Sequence, residues 1–260
     1  MSPLVSWPIA FACARERLRA GPLWALTAML ALSGWAFADP AKGGAELFGG
    51  ISFGEFILLL FTLFLGAGVI SDELESGHAQ LVLLRPITRA AWFGGRLCGA
   101  GLVLAAAMGL CWTLAWGAAL AAGSGLQWTR LLVLPVGFAF AFSWLATLAA
   151  LSVVARGWAN TGWVVLSAIG WMLIYLGVRA TSLIAQAARH EGGVAAKLVD
   201  FTRAVAPYLG PQDPTALVAQ LQTGAPPDPG PLLWDLAWAA GAWLLGVWLL
   251  NQRELARRRP

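Results

Sequence analysis

The chain has 260 residues, of which 59% are hydrophobic and only 12% are charged. Its mean hydropathy of +0.71 excludes an ordinary soluble domain. The net charge of +4 comes from basic residues at the ends of apolar runs, not on one continuous face, so we expect lipid head-group contacts and no nucleic-acid partner. Apolar runs long enough to cross a bilayer core of about 30 Å recur throughout. We therefore predict an all-α integral membrane protein with one transmembrane domain over residues 1–260.

Residues 1–21 predict an amphipathic helix that lies in the inner membrane interface. Its apolar positions recur at helical spacing, with basic positions on another face: Trp7, Phe11, Ala14 and Leu18, against Arg15 and Arg19. We do not expect a cleavable signal here, because the basic stretch RERLR follows the apolar residues instead of preceding them.

Six membrane spans are predicted, at about 22–38, 53–70, 97–122, 131–155, 157–178 and 232–250. Residues 179–231 are too polar and too rich in Pro and Gly to form a span, so we expect a long, partly helical outer loop between spans five and six. One amphipathic surface helix is predicted over 194–205. A second should start after Asp213, a suitable N-cap, and end at Thr223 and Gly224.

The distribution of Lys and Arg predicts that both termini are cytoplasmic, because cytoplasmic loops retain positive charge. With the N-terminus inside, eleven basic residues fall on the inner side and six on the outer side. The inner ones are Arg15, Arg17, Arg19, Arg85, Arg89, Arg96, Arg156, Arg253, Arg257, Arg258 and Arg259. We expect a multi-pass protein of the bacterial cytoplasmic membrane.

No motif for soluble-type catalysis occurs, since HExxH, GxSxG and the P-loop GxxxxGK[ST] are all absent. Cys13, Cys98 and Cys111 form no CxxC pair, and this topology puts His78 and His190 on opposite sides of the membrane. We expect no metal site, no bound cofactor and no enzymatic activity in this chain. If the protein uses ATP, another polypeptide must bind it.

Four charged residues fall near the outer ends of their spans: Glu55, Arg130, Arg179 and Asp235. They are candidates to pair across helices or to line an external mouth. The alternative is that they are ordinary interfacial charges that reach water. The span centres contain no charge, which argues against a proton-coupled carrier.

The stretch from Asp72 to Arg96 is the main charged interruption between predicted spans. Acidic residues, Asp72, Glu73 and Glu75, end the incoming helix, and Gly77 provides a permissive stop. The next residues, His78 to Arg85, form about two helical turns that Pro86 cuts off.

A new helix should follow at once, because Thr88 can cap a helix that begins at Arg89. That helix continues through Arg96 into the third span. At its start Gly95 and Gly99 form a GxxxG pair, which favours a close approach of another helix.

This segment resembles the permease subunits of ABC-2 type ABC transporters. Their pattern after the second span is an acidic residue, a glycine, a leucine-rich turn, Pro, a small aliphatic residue, Ser or Thr, Arg, and a later basic residue. This chain supplies Glu75, Gly77, Leu81, Leu83, Leu84, Pro86, Ile87, Thr88, Arg89 and Arg96. His78 departs from the Thr or Ser often found after the glycine, and Arg96 replaces the more frequent Lys.

The resemblance extends to the six-span plan, the N-terminal helix and the long outer loop. The stretch DPTALVAQL is also similar to the NPT-containing outer segment of the nitrous-oxide-reductase maturation permeases, although Asp213 stands where those have Asn.

The resemblance implies that the short helix docks into a separate ATPase subunit, which binds ATP and Mg, and that two permease chains work with two ATPase chains. Glu73 and Glu75 would meet basic residues of the ATPase, and Arg85 and Arg89 would meet acidic ones or lipid phosphate. The whole expected coupling set is Glu73, Glu75, Gly77, His78, Leu81, Leu84, Arg85, Pro86 and Arg89. The expected direction is export, since no binding-protein partner is visible.

Two other classes of function remain open. A nucleotide-independent secondary transporter or channel for a neutral cargo needs no deep charge. A membrane anchor or assembly factor without transport needs only the spans and the outer loop.

Overall fold

A computed structural model describes residues 4–19, 53–84, 86–121, 132–154, 210–212 and 223–252, together with the positions 24, 25, 27, 28, 169, 170, 204, 217, 220 and 221. Its helices are α1 (Trp7–Leu18), α2 (Phe53–Ala67), α3 (Ser71–Glu75), α4 (His78–Leu83), α5 (Arg89–Ala121), α6 (Val133–Ser152) and α7 (Gly230–Gln252). No strand occurs among these residues, so the all-α prediction is confirmed for them. The predicted first and fifth spans and the helix over 194–205 fall almost entirely outside the described residues.

Three helices of the described chain are long and apolar enough to cross a membrane, as expected of a multi-pass membrane protein. They are Arg89–Leu114 within α5, Leu134–Ser152 within α6, and Gly230–Gln252, which is α7. They coincide with the predicted third, fourth and sixth spans. The predicted second span contains α2, whose 15 residues extend only about 22 Å.

The apolar core lies where α2, α5, α6 and α7 pack together. Its largest fully buried side chains include Phe61 of α2, Trp92 and Phe93 of α5, and Trp144 of α6. Glycines bring the helix axes close together at two of these contacts. A Cβ on Gly66 of α2 would lie 2.8 Å from the Cβ of Leu148 in α6, and a Cβ on Gly246 of α7 would overlap the Phe93 ring.

The N-terminal helix α1 packs against the start of α5 through small residues. Ala10, Cys13 and Ala14 are buried, whereas Trp7 and Phe11 are exposed. The sequence placed Ala14 in the same apolar row as these aromatic residues. The structure corrects that grouping, because the packing face of α1 consists of its small residues and leaves the aromatic row outside.

The GxxxG pair of α5 makes the close helix approach that was predicted, and the approaching helix is α1. A Cβ on Gly95 would lie 2.8 Å from the carbonyl oxygen of Ser6, and one on Gly99 would lie 2.7 Å from the Cβ of Cys13. The backbone amide of Ser6 also donates to the carbonyl oxygen of Ala91 at 3.1 Å. The N-terminal helix is therefore seated directly on the backbone of α5.

Within the segment predicted as an outer loop, a helical turn ends at the predicted position. Gly224 has a φ of +72°, and the amide of Ala225 donates to the carbonyl oxygen of Gln220 at 3.0 Å. A left-handed glycine with this hydrogen bond is the usual end of a helix. The described residues Leu217 and Thr223 are helical, and the expected N-cap Asp213 lies outside the described residues.

Candidate functional site

The segment between α2 and α5 begins with the five-residue helix α3, which ends where the sequence predicts. The amide of Ser76 donates to the carbonyl oxygen of Asp72 at 3.0 Å, and Gly77 follows with a φ of +77°. An L-residue other than glycine rarely adopts this left-handed conformation. Gly77 therefore separates α3 from α4 and lets the chain change direction.

The short helix α4 has an inner side and an exposed side. Ala79 is fully buried, whereas Leu81 is 64% exposed and Leu84, directly after the helix, is 83% exposed. His78 at the first position is also exposed. Arg85 lies outside the described residues. Leu81 of α4 and Leu84 directly after it form an exposed apolar surface, which we call the α4 surface.

The long helix α5 begins at the predicted cap. The amide of Ala91 donates to Oγ1 of Thr88 at 3.1 Å, and α5 starts at Arg89. Pro86 stands between α4 and this cap, and its missing N–H prevents one continuous helix. The helix α5 runs unbroken from this cap to Ala121, about 50 Å away, so its first turn is continuous with a long helical element.

A buried cation joins three parts of the fold at this site. Arg96 of α5 is buried, and its Nη1 lies 2.9 Å from Oε2 of Glu16 in α1. Its Nη2 forms a second ion pair with Oε1 of Glu73 in α3. The Glu73 side chain is largely buried by this contact. The structure therefore corrects the expected role of Glu73, which faces an arginine of its own chain and not the surface.

A third ion pair joins α1 directly to α3. Nη2 of Arg17 in α1 lies 3.3 Å from Oδ2 of Asp72 in α3. The Asp72 side chain is mostly exposed and the Arg17 side chain is mostly covered. An exposed pair of this kind contributes little stability by itself, but it follows the same path from α1 to α3 as the Arg96 contacts.

Arg89 also has a partner within the chain. Its Nη1 donates to the carbonyl oxygens of Leu250 and Asn251, both at 3.1 Å. These carbonyls belong to the last turn of α7, whose final C=O groups have no partner inside the helix. A cation at a helix C-terminus is favourable. The expected contact of Arg89 with an acidic or phosphate group is therefore replaced by a cap on α7.

At the other end of α7, Asp235 is fully buried. This burial contradicts only the alternative interpretation, in which the carboxylate reaches water. Its Oδ1 accepts a hydrogen bond of 2.7 Å from the amide of Gln212, and Nε1 of Trp234 donates to the carbonyl oxygen of Gly210 at 2.9 Å. Asp235 thus helps to hold residues 210–212 against α7.

The predicted outer-mouth set has three other members, Glu55, Arg130 and Arg179. Arg130 and Arg179 lie outside the described residues, and the structure describes the backbone of Glu55 within α2 but not its side chain.

An apolar cavity of about 420 Å³ lies between α6 and α7. Two of its polar atoms are already paired, because Nε1 of Trp238 donates to Oγ1 of Thr147 at 2.8 Å. Its other lining residues are Ala150, Leu151, Trp234, Ala237, Gly241, Ala242 and Leu245. No three His, Cys, Asp or Glu side chains group as metal ligands anywhere in the described part of the chain.

The sequence interpretation missed the partner of Arg96, although one signal was present. Arg96 and Gly99 are three residues apart on α5 and therefore share a helix face. When another helix packs on the GxxxG face, Arg96 therefore lies next to that helix. Glu16, with Arg15 and Arg17 as its neighbours, was hidden in a stretch that was interpreted only as basic.

Neither protein-family models nor curated proteins show a match to this chain.

Proposed function

We propose that this chain is the membrane-spanning permease subunit of an ATP-driven ABC transporter of the export type. The observation that carries the proposal is the α4 surface, displayed on a short helix between Gly77 and Pro86. Its two leucines, Leu81 and Leu84, are exposed next to a segment that is otherwise firmly packed. An apolar surface of this kind is suited to a protein partner.

Burial of the α4 surface would supply part of the free energy of docking. Full burial of one leucine side chain contributes about 1.5 to 3 kcal/mol, so the two together supply several kcal/mol before ordering costs. The exposed His78 adds a polar group at the edge of the same helix. In the proposed complex these side chains enter a cleft of an ATPase subunit that holds ATP and Mg.

The connections of α4 to the neighbouring helices suit the transmission of movement. On one side Gly77 joins it to α3 and the core helix α2, and on the other the Thr88 cap joins it to α5. Closure of the partner ATPases would shift α4 and tilt α2 and α5. A path between two permease chains would then open alternately to each side of the membrane.

The proposal also covers the second permease chain and the orientation in the membrane. A second permease chain, identical or related, completes the pathway, and both termini lie in the cytoplasm of a bacterial cell. In this arrangement α1 lies in the inner interface, with Trp7 and Phe11, both exposed, towards the acyl chains and Arg15 towards the head groups.

Co-purification tests the proposal directly. The doubly substituted chain Leu81→Asp with Leu84→Asp should lose an ATPase subunit that co-purifies with the unchanged chain, identified by P-loop peptides in mass spectrometry. Burial of the two aspartate carboxylates in an apolar cleft is costly, so almost no ATPase should co-purify with the substituted chain. Leu221→Asp is the matched control, because Leu221 is also exposed but lies in the predicted outer loop.

ATP hydrolysis separates this proposal from the two alternatives. The purified complex should hydrolyse ATP, and a transported cargo should stimulate hydrolysis. Cargo movement in vesicles without any nucleotide would favour a secondary transporter or channel. A complex that contains no ATPase and moves no cargo would favour an anchor or assembly factor.

A further inference from the structure

The charge network around Arg96 is centred on a buried guanidinium group. Arg96 is 7% exposed, and its guanidinium lies between the carboxylates of Glu16 and Glu73. A buried guanidinium is costly unless carboxylates and hydrogen bonds compensate its lost hydration. The arrangement therefore persists only while α1 and α3 both remain in place beside α5.

The close backbone contact explains why Glu16 can reach Arg96. The glycine face of α5 admits α1 so closely that Cys13 Sγ lies 3.5 Å from the carbonyl oxygen of Arg96. Glu16 follows Cys13 by three residues and therefore lies on the same face of α1. Its carboxylate then meets the guanidinium from one side, while Glu73 meets it from the other.

The Arg17 pair supplies a parallel connection. It joins α1 to Asp72, the neighbour of Glu73 in α3. Glu16 of α1 is thus linked to Glu73 of α3 through Arg96. Its neighbour Arg17 is linked directly to Asp72. The two links join α3 to α1 at neighbouring positions.

We infer that Arg96 is a positioning residue that fastens the α3–α4 segment to α1, so that α1, α3–α4 and the first turns of α5 move as one unit. With the proposed function as its premise, a displacement of α4 by an ATPase reaches α1 as well as α5. The same contacts act in the other direction, so a perturbation of α1 should also reach the α3–α4 segment. The N-terminal helix is then a second point at which transport can be controlled.

Hydrogen exchange on the full chain in lipid nanodiscs, without any ATPase, tests whether α1 and the α3–α4 segment move together. Arg96→Met should accelerate backbone exchange about tenfold or more in both 7–19 and 71–84, because it removes two charged contacts at once. The decisive variant is Glu16→Gln, which changes only a half-exposed side chain of α1 and should leave the fold intact. It should accelerate exchange in 71–84, on a different helix, and Glu73→Gln should accelerate exchange in 7–19.

Arg15→Gln is the matched control, because Arg15 is exposed on α1 and forms no ion pair within the described part of the chain. It should leave exchange in 71–84 unchanged, and Arg96→Lys should restore part of the protection lost in Arg96→Met. Exchange changes confined to the helix that carries each substitution would overturn the inference. That result would leave the proposed function standing, because Glu16→Gln is expected to retain whatever ATPase the α4 surface binds.

Discussion

A Cβ on Gly99 would lie 2.7 Å from the Cβ of Cys13, although the two residues belong to different helices. Gly95 is equally crowded, because a Cβ there would lie 2.8 Å from the carbonyl oxygen of Ser6. The N-terminal helix therefore rests on bare backbone of α5. This contact positions Glu16 beside Arg96, so that the two side chains form an ion pair.

Gly99→Ala should separate α1 from α5. The added methyl group meets backbone and a buried Cβ that cannot swing away, so overpacking should cost about 1 to 3 kcal/mol. Gly109→Ala on the same helix is the control, because nothing lies within 4 Å of its Cβ position. Thermal unfolding in detergent should show a lower Tm for Gly99→Ala and an unchanged or higher Tm for Gly109→Ala. Equal shifts would show that α1 is not seated on this face.

Local signals in the sequence predicted local structure well around α3, α4 and α5. Gly77 adopts the left-handed conformation that a stop requires, and Thr88 caps α5 as its hydroxyl chemistry predicts. Pro86 lies between the two helices. Each of these depends only on the backbone preferences of one or two residues, which act whatever the rest of the chain does.

Pairing between distant residues was not predicted, and the physical reason is the same at each position. Glu73 and Arg89 were interpreted as groups that face a partner, and Asp235 as one that pairs across helices, lines an outer mouth or reaches water, because a charged side chain alone does not reveal which helix will cover it. The structure covers all three with elements distant in sequence. Only the GxxxG face carried information on a long-range contact, because small residues reveal where another helix can approach.

Gly77→Ala should destabilise the junction between α3 and α4. Nothing lies within 4 Å of its Cβ position, so the cost of about 1 to 2 kcal/mol comes from the backbone conformation alone. Gly77→Asn should cost less, because asparagine tolerates the left-handed region. Hydrogen exchange in 71–84 should therefore rise in the order unchanged chain, Gly77→Asn, Gly77→Ala. A Gly77→Asn variant as damaged as Gly77→Ala would point to a cause other than φ.

Trp238→Phe should weaken the contact between α6 and α7. It removes the 2.8 Å hydrogen bond to Thr147, and such bonds between membrane helices contribute about 0.6 kcal/mol on average and rarely more than about 1.7. Thr147 retains its own bond to the carbonyl oxygen of Ser143, so its hydroxyl stays satisfied. Trp248→Phe on the exposed side of α7 is the control and should leave the Tm unchanged. A larger loss for Trp248→Phe would contradict the assignment.

Arg89→Met should loosen the end of α7. Methionine keeps the apolar stem but cannot donate to the carbonyl oxygens of Leu250 and Asn251. Backbone exchange in 246–252 should rise about tenfold, the effect expected from the loss of charged hydrogen bonds. Exchange in 230–238, at the opposite end of the same helix, provides the internal control. An equal rise at both ends would mean that Arg89 stabilises the whole helix and not its C-terminus.

Two glycines of α7, five positions apart, should respond in opposite ways to the same substitution. Gly246→Ala places a methyl group against the ring of Phe93, which is fully buried and has no space to turn, so it should lower stability by about 1 to 3 kcal/mol. Gly241→Ala points into open space beside the cavity of about 420 Å³, where nothing lies within 4 Å. It should be neutral or stabilising by up to about 1 kcal/mol, because alanine is the better helix former. Thermal unfolding of both variants in the same detergent measures the difference, and a Gly241→Ala loss as large as that of Gly246→Ala would show that another part of the protein occupies the cavity.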